Sequence, residues 1–166
     1  MIHLILGGSR SGKSEMAERL AATLPAPVTY LATATVSHGD LEFSERVERH
    51  RLRRPTTWRT TETGPDLVAH LAAEPGTVLV DSLGTWVAGH RDFDVDLDGL
   101  VRALVARTGA AVIVSDEVGL GVHPSTEVGG RFRDVLGRTN QVVAEVADRV
   151  SLVVAGRVQH LDRSPW

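Results

Sequence analysis

The chain has 166 residues, of which 42% are hydrophobic and 23% charged; it carries a formal net charge of -3 and no cysteine. That length suits a single domain, 1–166, with one substantial core. The mildly negative charge excludes a global positive field for nucleic acid or membrane surfaces, and the lack of cysteine excludes disulfides and thiolate metal sites.

Elements follow in chain order. Ile2–Leu6 is a short apolar run that ends at Gly7-Gly8 and predicts a buried strand. It leads into glycines rather than a cleavage site, and no run approaches the length of a membrane span, so a cytoplasmic protein without membrane insertion is expected. Ser14–Leu24 has helical spacing, with Met16, Ala17, Leu20 and Leu24 on one face and Pro25 closing it. Val28–Ala32 predicts a second strand, and Leu41–Arg53 a highly charged helix stopped by Pro55. Pro65–Ala73 predicts a short helix, and Thr77–Val80 a strand ending at Asp81. Val95–Arg107 reads as a helix, Ala110–Ser115 as a strand ending at Asp116-Glu117, and Gly119–Pro124 as a loop. Ser125 or Thr126 caps a long helix to about Asp148; Val150–Ala155 and an edge strand Val158–Leu161 complete the chain. Alternation of helices with continuously apolar strands implies an α/β, three-layer, mainly parallel sheet with ligands at the carboxyl ends of its strands. Gly7-Gly8, Asp81 and Asp116-Glu117 all fall at such ends.

The turn after the first strand reads Gly7-Gly8-Ser9-Arg10-Ser11-Gly12-Lys13-Ser14 and fits G-x-x-x-x-G-K-[ST] in a strand–loop–helix context. Glycines let successive amides face an anion, and the helix N-terminus adds its dipole. Lys13 is the only lysine of the chain; the 17 other members of the Lys and Arg set are arginines. A compact ammonium fits between β- and γ-phosphates where a planar guanidinium does not, and the Ser14 hydroxyl suits Mg²⁺. The stretch predicts a nucleoside triphosphate site without saying which reaction follows. Asp81, after Val78-Leu79-Val80, is the first candidate to hold the metal alongside Ser14; Asp116 and Glu117 compete for that role.

Residues 45–60 gather Arg46, Arg49, Arg51, Arg53, Arg54 and Arg59 around His50. On a helix, Arg46, His50 and Arg53 or Arg54 share one face. A solvated charged helix, a nucleic-acid patch and a polyphosphate clamp all remain open on spacing, although net charge and the shortage of aromatics speak against the second. Surrounding cations disfavour imidazolium, and a neutral imidazole is a nucleophile toward phosphorus, so His50 is also a candidate for covalent chemistry.

These segments together resemble the bifunctional adenosylcobinamide kinase / adenosylcobinamide-phosphate guanylyltransferase family of cobalamin biosynthesis. The resemblance runs nearly end to end. It includes GGSRSGKS, Leu31-Ala32-Thr33-Ala34, Arg46-Val-Glu-Arg-His50, Arg54-Pro55, Trp58-Arg59-Thr60-Thr-Glu62, Val80-Asp81-Ser82-Leu83, Asp116-Glu117-Val118-Gly119-Leu120-Gly121 and the Arg131–Gln141 pattern. It implies a P-loop NTPase fold of RecA-like type and two activities: phosphorylation of adenosylcobinamide with ATP or GTP, then transfer of GMP from GTP to give adenosylcobinamide-GDP. It also implies a guanylylated histidine at His50. Guanine-nucleotide contacts are implied around Ala32, Thr33, Ala34, Arg51, Leu52, Arg53, Arg54, Glu62 and Asp81, and a homo-oligomer, a trimer, is expected, with no nucleic-acid partner. The chain departs from the family pattern at Asp116, where asparagine is usual, at His123, and in a short acidic segment between Trp86 and Val101. Competing expectations are a phosphate-loop kinase for another small molecule with His50 a bystander, a nucleotide switch or RecA-like nucleic-acid binder, and a family member that has lost one activity.

Overall fold

The computed structural model describes residues 1–34 and 54–163. The predicted helix Leu41–Arg53, and with it His50, Arg51, Leu52 and Arg53, lies outside the described residues.

Among the described residues, seven strands form one sheet: β1 (Ile2–Gly7), β2 (Val28–Ala32), β3 (Arg59–Glu62), β4 (Thr77–Asp81), β5 (Ala111–Asp116), β6 (Arg149–Val154) and β7 (Arg157–Leu161). Their order is β3-β2-β4-β5-β1-β6-β7. Every neighbouring pair is parallel except β6 with β7. The parallel arrangement explains the apolar strands, since both faces are covered. Along β1, β4 and β5 successive side chains divide between two cores. Leu4, Leu6, Val78, Val80 and Ile113 face α2 (Leu67–Ala73), α3 (Leu83–Ala88), α4 (Leu97–Ala106) and α5 (Glu127–Val146). Ile5, Leu79, Val112 and Val114 face the other way, against Ala17 and Ala21 of α1 (Lys13–Ala21). At about 1.5–3 kcal/mol for each large side chain removed from water, these two layers supply the main drive to fold. No described helix is long and apolar enough to cross a membrane.

Two elements depart from the sequence expectation. β3 was not expected because Arg-Thr-Thr-Glu is polar and mostly exposed; parallel pairing with β2 at the sheet edge makes it a strand. α3 is only six residues long, and it forms because Ser82 and Thr85 make a reciprocal capping box. Some boundaries also shift. α1 stops at Ala21 instead of Leu24, and the Thr23 and Leu24 amides bond to carbonyls three residues back, tightening the chain before Pro25. α4 starts at Leu97 because the Asp96 carboxylate takes the Gly99 amide at 2.7 Å. Thr126, not Ser125, caps α5. Ala155 (φ 50°) and Gly156 (φ 73°) form the two-residue turn between β6 and β7, where positive φ at both positions matches the strand twist.

Candidate nucleotide site

β1 delivers the chain to the phosphate loop, residues 7–14. Gly7 has no room for a side chain: a Cβ there would lie 2.5 Å from Ser11 Oγ and 2.7 Å from the Val153 carbonyl. Gly12 turns the loop into α1 with φ +95°. The loop is tied from both sides, with the Ser11 amide donating to Gly8 O (3.3 Å) and the Gly156 amide of the β6–β7 turn donating to Ser11 O (2.8 Å). Gly8, Ser9 and Arg10 are exposed along its rim. The Lys13 side chain is 12% exposed; its ammonium donates to Gly8 O at 3.2 Å and pairs with Asp116 Oδ1 at 2.7 Å. The Lys13 ammonium therefore stands against the loop at a helix N-terminus, an arrangement suited to binding phosphate.

Parallel register sets the carboxylates. Gly7 pairs with Asp116 on β5, and Asp81 at the end of β4 aligns with Ala32 of β2, which aligns with Glu62 of β3. Ser14 Oγ–H donates to Asp81 Oδ1 at 3.3 Å. Two oxygens so placed fit Mg²⁺: adjacent corners of an octahedron with ligands at about 2.1 Å are roughly 3 Å apart, and a hydroxyl and a carboxylate are the hard donors this ion takes. The other Asp81 oxygen, Oδ2, accepts from the Tyr30 hydroxyl at 2.7 Å. Burial, followed by the negative charge of Asp81, pushes the Tyr30 pKa far above its ordinary value, so the phenol stays protonated. The Arg54 guanidinium lies 3.3 Å from the centroid of the Tyr30 ring and donates to Thr60 Oγ1 at 3.1 Å.

Three acids competed for the metal in the sequence, and the geometry separates them. Asp81 stands beside Ser14, Asp116 beside Lys13, and Glu117 accepts from the Gly119 amide at 2.6 Å. Asp116 is closely held. Gly84 leaves the space for its carboxylate, since a Cβ there would meet Asp116 Oδ2 at 2.4 Å, and Asn140 Nδ2–H donates to the Asp116 carbonyl at 3.1 Å. An incoming phosphate must take Lys13 from this carboxylate and then sit near its negative charge. Asp116→Asn is expected to bind Mg²⁺-free nucleotide about tenfold more tightly, roughly 1.4 kcal/mol. Titration calorimetry in EDTA checks this, and unchanged affinity would contradict it.

Thr33 has a structural task. It is 1% exposed; its hydroxyl donates to Ser82 O (2.7 Å), accepts from the Ser82 amide (2.9 Å) and lies 2.6 Å from Thr85 Oγ1. The side chain thus fastens β2 to the β4–α3 turn, leaving Ala32 and Ala34 beside it at the sheet's carboxyl edge. Glu62 is exposed at the end of β3 on the same edge. Gly7–Ser14, Ala32–Ala34, Glu62 and Asp81 thus lie along the carboxyl edge of the sheet and Arg54 lies over the Tyr30 ring, while His50, Arg51, Leu52 and Arg53 lie outside the described residues. Tyr30 was missed by sequence reasoning because it sits inside an apolar strand and reads as core. The acidic segment is used locally: Asp96 caps α4, Asp92 lies 3.8 Å from Arg131, and Phe93 packs edge-on against Phe132.

Strand, phosphate loop, helix and two strand-end carboxylates define an α/β phosphate-loop nucleotide-binding protein. The fold is similar to that of a prototypical ATPase from the type III secretion system of pathogenic bacteria, with a TM-score of 0.55 at 13% identity, covering 91% of this chain and 50% of that one. Residues 3–161 match the CobU family, cobinamide kinase / cobinamide phosphate guanyltransferase, and the chain belongs to it. The bifunctional adenosylcobalamin biosynthesis protein CobP of Pseudomonas aeruginosa is 40% identical, covering 99% of both chains. The bifunctional adenosylcobalamin biosynthesis protein CobU of Salmonella typhimurium is 33% identical, covering 94% of this chain and 97% of that one.

Proposed function

We propose that the chain carries both family activities: it phosphorylates adenosylcobinamide with ATP or GTP, then transfers GMP from GTP to the product, giving adenosylcobinamide-GDP. The observation that best supports this is the pairing of Lys13 inside the phosphate loop with the Ser14–Asp81 oxygen pair beside it.

In the kinase step, loop amides and Lys13 hold the β- and γ-phosphates while the aminopropanol hydroxyl oxygen attacks the γ-phosphorus and the bond to the β-phosphate oxygen breaks. Mg²⁺, held by Ser14 and Asp81, would neutralise charge on the phosphates. In the second step a neutral His50 nitrogen attacks the α-phosphorus of GTP and pyrophosphate leaves. A phosphate oxygen of adenosylcobinamide phosphate then attacks the same phosphorus and releases His50. Two in-line displacements replace one difficult transfer. Arg51, Arg53 and Arg54 would hold phosphate oxygens during it, with Leu52 and the Ala32–Ala34 segment against the nucleotide. The family resemblance supports a cytoplasmic homo-oligomer, a trimer.

Glu62 supplies guanine selectivity in this scheme. A carboxylate accepts both N1–H and the exocyclic N2–H of guanine, a donor pair that adenine lacks. Glu62→Gln is expected to reduce the preference for GTP over ATP about tenfold, read as the ratio of kcat/KM values; an unchanged ratio removes Glu62 from this role. The overall proposal is tested by supplying adenosylcobinamide, Mg²⁺ and doubly labelled GTP. Product carrying γ-label first and α-label later supports both steps, and product that never gains α-label reduces the protein to a kinase.

A further inference from the structure

We propose that Tyr30 is a positioning residue for the metal carboxylate, its hydroxyl fixing one oxygen of Asp81 so that the other is presented to Ser14 and the nucleotide-bound cation. The proposal rests on the assignment of Ser14 and Asp81 to Mg²⁺.

Three observations carry it. The phenol donates to Asp81 Oδ2 at 2.7 Å while Ser14 Oγ–H donates to Oδ1 at 3.3 Å, so the two ends of one carboxylate are oriented by different partners. Tyr30 is 4% exposed in a parallel strand bonded on both sides, to β3 and β4, so its backbone has little freedom. Its ring face is covered by the Arg54 guanidinium at 3.3 Å, and Arg54 is itself tied to Thr60. The donor is therefore clamped by the sheet below and by a cation above. A carboxylate held this way loses little rotational freedom when a cation arrives, which is how hydrogen-bond partners behind a ligand raise metal affinity.

Tyr30→Phe removes the hydroxyl and keeps the ring on which Arg54 lies. Binding of a fluorescent GTP analogue is measured first in EDTA and then across a Mg²⁺ titration. The expected result is a half-saturating Mg²⁺ concentration raised about 10- to 100-fold, with affinity in EDTA within about twofold of wild type. An unchanged Mg²⁺ response overturns the proposal. A fall in EDTA affinity as large as the fall in Mg²⁺ also overturns it, because that is the mark of general damage to the site. Labelling of the protein by α-labelled GTP adds a second readout: saturating Mg²⁺ is expected to restore Tyr30→Phe to wild-type labelling, and a deficit that Mg²⁺ does not rescue overturns the proposal. Absence of labelling in wild type would count against the covalent step alone, since the Mg²⁺-dependent binding still decides the role of Tyr30.

Discussion

His50→Ala is expected to take up no label from GTP labelled on the α-phosphate, a loss of at least about a thousandfold against wild type, while adenosylcobinamide phosphorylation stays within about threefold. The chemistry sets this contrast. A phosphoramidate needs an imidazole nitrogen, so alanine removes the bond-forming atom, and no rearrangement of neighbouring arginines replaces it. In the proposed kinase step the γ-phosphate would be held by Lys13, the loop amides and the Ser14–Asp81 pair, a set that does not include His50. Denaturing electrophoresis after incubation with Mg²⁺ and labelled GTP checks the first half. Label stable in alkali and lost in acid marks histidine, and γ-labelled GTP and α-labelled ATP serve as controls. Protein label in His50→Ala would move the nucleophile elsewhere. Loss of the kinase activity as well would show that the arginine-rich segment serves both reactions.

Lys13→Ala is expected to lower kcat/KM for adenosylcobinamide phosphorylation about 10²- to 10³-fold, the usual cost of removing one preorganised charge from a phosphoryl-transfer site. Lys13→Arg is expected to recover less than about a tenth of the lost activity. The ammonium lies against the Gly8 carbonyl and the Asp116 carboxylate, and the Lys13 side chain is 12% exposed. A planar guanidinium is bulkier than this compact charge and presents its donors differently, so charge alone does not restore function. Steady-state kinetics on variants with unchanged melting temperature check both values. Full rescue by arginine would mean that only net charge matters, and the lone lysine of an arginine-rich chain would lose its explanation.

Several elements were legible because their cause is local. The apolar runs ending in glycine or aspartate became β1, β4 and β5, since a fully buried parallel strand has no polar face to show in its sequence. β3 was illegible for the opposite reason: Arg59–Glu62 has no apolar pattern, and its strand character comes from pairing with β2. α3 was too short for periodicity to register, and its Ser82–Thr85 cap became visible only in space. The phosphate loop could be read residue by residue because spacing along eight consecutive positions is itself the chemistry.

The sequence by itself determined the class of site: a loop that curls around an anion, one lysine to meet it, a hydroxyl for the cation, and strand-end acids, all fixed by residue type at fixed spacing. Tertiary structure alone decided which acid serves which partner. The sequence ranked Asp81 ahead of Asp116 and Glu117 but left all three as carboxylates at strand ends; strand order brings Asp81 beside Ser14, 67 positions away, and Asp116 beside Lys13. Tyr30 joined the site only through a contact with Asp81, 51 positions away. Sequence spacing constrains atoms across one loop or one helical turn, whereas partners from different strands are chosen by the order and register of the sheet, which no local pattern encodes.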